Sequence, residues 1–164
     1  GNGLEEGIDV GPLVNADTRD KVHAFVQDAL EKGARLRLGG ELPGGRGFHY
    51  PPTVLTDVPE HADCVADEIF GPVVAMQTFT DEADVIRRAN DTEYGLVAYV
   101  FSGDFRRGLR VSERLDYGMV GLNRGLVSDP AAPFGGTKQS GLGREGGHEG
   151  MHEFMETQYI SAEW

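Results

Sequence analysis

A single cysteine, Cys64, is the only thiol in this chain. One thiol cannot build an intramolecular disulfide framework, and its scarcity fits a reducing compartment. Lysine is nearly missing too: of fifteen basic residues only Lys21, Lys32 and Lys138 are lysines, set against twenty-seven acids for a formal net charge of −12. That balance argues against nucleic acid and against anionic membrane surfaces as partners, and leaves a solvated acidic surface or a salt-adapted source as readings. No apolar run approaches the roughly eighteen residues that a membrane-spanning helix needs. The start, Gly1-Asn2-Gly3-Leu4-Glu5-Glu6, has neither the basic beginning nor the apolar centre of a signal peptide. These absences point to a cytoplasmic protein. An initiator Met is also lacking, and Gly1 to Pro12 reads as a glycine- and acid-rich connector from the middle of a longer polypeptide.

What remains suits a folded domain. The 164 residues are 39% hydrophobic and 26% charged, enough to bury a real core. Val22, Phe25, Val26, Ala29 and Leu30 recur at helical spacing behind a cap at Asn15 or Asp17, and Gly33 supplies the stop. Ala34 to Leu38 alternates as a strand, and Thr53 to Thr56, after two prolines, suits an edge or short strand. A further strand is expected from Ile69 to Phe79, broken at its start by Gly71-Pro72. Thr80 is expected to cap a helix reaching Asn90. Leu96 to Phe101 has the continuous apolar character of a strand buried on both faces. A helix over about 104–116, an apolar strand at Gly118 to Asn123, a short helix near 148–155 and a strand from Gln158 to Ala162 complete the reading. Strands separated by ten-residue helices imply βαβ units, hence an α/β fold with a mostly parallel, covered sheet.

The chain converges on Pro133 to Gly147, a run too rich in glycine to be an ordinary helix or strand. Two short patterns lie in or beside it. Gly141-Leu142-Gly143-Arg144-Glu145-Gly146 fits G-x-G-x-x-G, but a dinucleotide turn needs a strand before it and a second β element after it, and neither is present here. His148-Glu149-Gly150-Met151-His152 fits H-E-x-x-H, yet glycines precede and interrupt it, and only Glu153, Glu156 and Glu163 follow as ligand candidates; a zinc hydrolase is the weaker reading beside solvated histidines. Cys64 lies among acids that disfavour a thiolate, so an inert buried thiol outweighs a nucleophile. Glu68 and Phe70 flank a rigid turn and could suit a sugar or ring ligand, against an ordinary turn acid and core aromatic.

Four blocks in one order, Asp67-Glu68-Ile69-Phe70-Gly71-Pro72-Val73, Asn90 to Leu96, Gly118 to Asn123, and Pro133 to Gly141, resemble the NAD(P)-dependent aldehyde dehydrogenases. The similarity runs over the whole chain, which looks like the C-terminal portion of that family's polypeptide. Gly121-Leu122-Asn123, Gly125-Leu126-Val127-Ser128 and Gly141 to Gly146 look most like the succinate-semialdehyde branch. The resemblance implies that Glu68 holds the nicotinamide ribose hydroxyls of NAD or NADP and that Phe70 packs beside that ribose. It implies that Phe134 lines the aldehyde tunnel and that Ser128 hydrogen-bonds the far carboxylate of the substrate. Arg124 departs from the expected pattern. The family's chemistry is thiolate attack on the aldehyde, hydride transfer to NAD(P)+ and hydrolysis of the thioester. Its nucleophilic Cys, general-base Glu, oxyanion-hole Asn and Rossmann domain all lie upstream of the stretch matching Gly1, and Cys64 is not at the nucleophile's position, so no catalytic residue is expected in this chain.

The resemblance also divides the chain into a partial catalytic α/β domain, 1–156, and an oligomerisation strand, 157–164, that extends a neighbouring subunit's sheet. The expected partners are therefore a small aldehyde and either a second copy or the missing N-terminal part. The isolated chain is expected to be inactive. A noncatalytic interaction module derived from the same family is the alternative.

Overall fold

The computed structural model describes all 164 residues and resolves into two compact units, Gly1–Thr80 and Asp81–Trp164. The first begins with helix α1, Ala16–Glu31, whose N-terminus is capped by the Asn15 side chain accepting from the Thr18 amide at 2.8 Å. Its end is a Schellman turn at Gly33: the Gly33 amide donates to Leu30 and the Ala34 amide to Ala29. Val22, Phe25, Val26 and Ala29 form one stripe of α1 and are all buried. That stripe meets Tyr50, Leu55, Val58, Ala62 and Cys64 in a single hydrophobic core.

The sheet of this unit runs β1 (Arg35–Leu38), β2 (Thr53–Thr56), β3 (Val73–Ala75). β1 and β2 pair antiparallel, because the loop between them has no helix to carry the chain back across the sheet. β2 and β3 pair parallel, with the crossover containing α2, Asp63–Ala66. Of the two expectations for Thr53 to Thr56, the short strand holds and the edge does not: β2 has four residues and is the central strand, with Thr53 and Leu55 buried. Its two prolines lie just before the strand, where their missing amides cost no ladder bond. The strand expected over Ile69 to Phe79 shrinks to three residues, since the Gly71-Pro72 turn holds its first part in tight i to i+2 bonds.

In the second unit α3, Glu82–Asn90, is capped by Asp81 rather than Thr80: the Asp81 carboxylate accepts from the Asp84 amide at 2.7 Å. β5 (Val97–Val100) and β6 (Met119–Leu122) pair parallel through the crossover helix α4 (Phe105–Ser112), the right arrangement for a βαβ unit. β4 (Tyr94–Gly95) pairs antiparallel with β7 (Thr137–Lys138), and α5 is Glu149–His152. Thus the α/β class holds, with small sheets of both parallel and antiparallel pairing. Two local expectations fail. β5 is not buried on both faces, for Tyr99 is exposed and Phe101 just beyond it is 70% exposed. Residues 158–162 form no strand and pair with none of the sheets of this chain. No helix is long and apolar enough to cross a membrane.

Candidate functional site

Two segments carry the residues singled out above, one in each unit. In the first, Ile69 packs against the hydrophobic core while its neighbours Glu68 and Phe70 point away, Phe70 being 70% exposed. The turn is stiff. The Gly71 amide donates to the Ile69 carbonyl at 2.9 Å and the Val73 amide to the Gly71 carbonyl at 2.8 Å. A Cβ at position 71 would stand 2.7 Å from Val22 of α1, so only glycine lets this turn lie so close to the helix. Glu68 makes no hydrogen bond or ion pair within the chain. A rigidly presented aromatic beside an uncommitted carboxylate can accept two hydroxyl hydrogens and cover an apolar ring edge, which fits a ribose.

In the second unit β6 delivers the chain to Asn123, a non-glycine residue at φ 54. Its side chain closes a reciprocal pair with Ser102: the Ser102 amide donates to Asn123 Oδ1 at 2.8 Å, and Asn123 Nδ2 donates to the Ser102 carbonyl at 2.9 Å. Asparagine tolerates this left-handed backbone and here compensates it with two bonds. Arg124, Leu126 and Ser128 follow on an exposed loop.

The glycine-rich run then folds back on itself. Phe134 and Glu145 form an isolated antiparallel bridge, each amide donating to the other's carbonyl at 2.7 Å. Phe134 is half-buried and lines a cavity of about 620 Å³ with Gly135, Leu142, Arg144, Glu145 and Phe154. Ser128 does not line it. The two basic residues of the run are committed to the backbone, leaving no phosphate cradle. Lys138 Nζ donates to the carbonyls of Asn90, the last residue of α3, at 3.0 Å and of Thr92 just beyond it at 3.1 Å, and pairs with Asp116 at 3.2 Å. Arg144 Nη1 donates to the carbonyls of Gly136 and Gly143. Sequence reasoning overlooked these clasps. Their only sequence signal was a lone cation inside a run of glycines whose carbonyls lack regular partners.

The remaining reactive side chains are quiet. Cys64 is buried, and desolvation first, then the nearby Asp28 charge, pushes its thiol up, away from a nucleophilic thiolate. His148 and His152 face each other, Nε2 to Nε2 at 3.2 Å, and no group of three His, Cys, Asp or Glu residues gathers as metal ligands.

Residues 1–160 match the sequence pattern described as "Aldehyde dehydrogenase family". The chain belongs to the aldehyde dehydrogenase family. Among curated relatives, the succinate-semialdehyde dehydrogenase of Paenarthrobacter nicotinovorans is 54% identical over 98% of this chain and 36% of its own length. The NADP(+) succinate-semialdehyde dehydrogenase GabD of Escherichia coli strain K12 is 48% identical over 98% of this chain and 33% of its own. The crystal structure of succinate-semialdehyde dehydrogenase from Burkholderia pseudomallei superposes with a TM-score of 0.88 at 49% identity, over 94% of this chain and 32% of that one. The chain therefore spans about a third of the length of the curated relatives it matches.

Proposed function

We propose that this chain forms one wall of the cofactor and substrate site of an NAD(P)-dependent aldehyde dehydrogenase that oxidises succinate semialdehyde to succinate. The observation that carries the reading is the turn at Glu68 to Phe70, where an uncommitted carboxylate and an exposed aromatic are fixed by an anchored Ile69. Glu68 accepts the two hydroxyl hydrogens of the nicotinamide ribose, and Phe70 shields one face of that sugar from water. A bound NAD or NADP supplies the hydride acceptor. Phe134 borders the path of the aldehyde, and the Ser128 hydroxyl donates to the carboxylate at the far end of the substrate. None of these residues is a nucleophile or a base, so the isolated chain has no turnover of its own.

The test replaces the aligned segment of the Paenarthrobacter nicotinovorans relative with this chain. Glu68→Gln in that chimera raises KM for NAD(P)+ by about tenfold, the equivalent of roughly 1.4 kcal/mol of lost binding. Ser128→Ala raises KM for succinate semialdehyde but leaves that for butyraldehyde, which has no carboxylate, unchanged. Robust oxidation of succinate semialdehyde by the isolated chain would overturn the assignment of the reactive centre to another segment.

The tail supports a second, compatible role as an oligomerisation segment spanning 157–164, with 1–156 as the partial catalytic domain. Tyr159, Ile160 and Trp164 are all more than three-quarters exposed. Such a run of apolar residues with unpaired backbone suits addition to a sheet edge of another copy. Light scattering of the chain with and without 157–164 checks this; an unchanged monomer in both cases would remove both the oligomerisation role and the interaction-module alternative.

A further inference from the structure

Arg144 does more than fill a gap among glycines. Its Nη1 is within 2.8 Å of the Gly136 carbonyl and 2.6 Å of the Gly143 carbonyl, so one guanidinium nitrogen ties the two arms of the loop together. Those arms are the ones that carry the Phe134–Glu145 bridge: Gly136 follows Phe134 by two residues, and Arg144 immediately precedes Glu145. Gly135, between them, is where the Arg144 stem passes. A Cβ there would stand 2.8 Å from Arg144 Cδ and 2.6 Å from the Gly143 carbonyl oxygen. The loop has no long ladder to hold its shape, because its bridge is isolated. A charged donor bonding two carbonyls is therefore the strongest tether available to it.

We infer that Arg144 is a positioning residue for Phe134: it locks the bridge that sets how far the phenyl ring projects into the cavity, and Gly135 is glycine so that it can. This rests on the reading of Phe134 as the border of the aldehyde path. A positively charged side chain acts here on the substrate wall through the backbone that carries Phe134. Loss of the tether frees the bridge, lets the ring move into the cavity, and narrows or misaligns the aldehyde's approach while the ribose-binding turn in the other unit is untouched.

Amide hydrogen exchange on the 164-residue chain tests the tether directly. In Arg144→Met the amides of Phe134 and Glu145 exchange at least about tenfold faster, while those of Gly118 and Asn123 in the same unit and of α1 in the other keep their protection. Arg144→Lys retains part of the protection, since one ammonium can serve the same two carbonyls. Gly135→Ala opens the same two amides, since its Cβ presses on both the Gly143 carbonyl and the Arg144 stem. Unchanged exchange at Phe134 and Glu145 in Arg144→Met overturns the inference, as does a loss spread equally to Gly118 and Asn123.

A kinetic arm in the chimera described above separates this inference from the functional reading. Arg144→Met is expected to raise KM for succinate semialdehyde about fivefold, with KM for NAD(P)+ unchanged and kcat within about twofold. If the two amides open and KM does not move, the tether stands and the placement of Phe134 along the aldehyde path falls.

Discussion

Val22, Val26 and Leu55 are entirely out of water in the first unit, whereas Tyr99, Phe101, Phe105 and Leu109 in the second stand largely in it. The first unit is held by an apolar core. The second, where only Ile86 and Met119 are buried hydrophobic residues, depends on polar clasps: Lys138 on Asn90 and Thr92, Asn123 on Ser102, Arg144 on Gly136 and Gly143, and Glu82 between Arg107 and Arg110. Apolar burial is non-directional and fixes a core; clasps of this kind aim at named carbonyls and fix the path of a loop. The difference suits their proposed tasks. A rigid turn presents Glu68 and Phe70, while a loop-built region presents Phe134.

The largest expected effect breaks the core. Leu55→Ala on the central strand costs about 2–5 kcal/mol and lowers the urea midpoint for unfolding of the first unit. Next comes the strongest clasp. Lys138→Met leaves the Asn90 and Thr92 carbonyls without their donor and Asp116 without its partner, costing about 1–3 kcal/mol; the loss should be read as faster exchange in the second unit with α1 unchanged.

An acid titration compares the ion pairs of the two units. Hydrogen bonding from Lys32 holds Asp28 below the usual carboxylate range, and hydrogen bonds from Arg110 and then Arg107 do the same for Glu82. A carboxyl whose pKa is depressed on folding contributes stability that is present above its unfolded value, about 3.9 for Asp and 4.3 for Glu, and is lost as pH falls through the folded value. Thermal midpoints measured from pH 6 down to pH 2 should therefore decline below about pH 4, less steeply in Asp28→Asn and Glu82→Gln. The smallest effect is the most diagnostic. Phe101→Ser changes the stability of the isolated chain by less than about 0.5 kcal/mol, since the ring is already in water, but lowers the thermal midpoint of the chimera, where a further segment covers it.

Much of this was legible in the sequence, for reasons specific to each element. Asn15, Gly33 and the apolar spacing of α1 act within one or two turns, so its limits and buried face follow from local chemistry. The four blocks of family resemblance identified the segment, and Ile69 between Glu68 and Phe70 had the alternation that puts the flanking pair on one side. Other features were not readable. The apolar run of Leu96 to Phe101 announces burial without saying whether its cover lies in this chain, and here it stays open. Thr80 is the expected cap, and only the bond from the Asp84 amide shows that Asp81 takes that place. The strand expected from Gln158 to Ala162 has the right residue types but pairs with no strand of this chain, and residue type alone does not supply a partner.

By itself the sequence determined the family, the α/β class and the limits of α1, because these depend on residue type, short spacing and matched motifs. Only the tertiary structure decided what Arg144 and Lys138 do. Their partners are backbone carbonyls, which every residue possesses and no side-chain pattern marks, so the clasp on Phe134 exists only where the loop's fold brings Gly136 and Gly143 to the same guanidinium nitrogen.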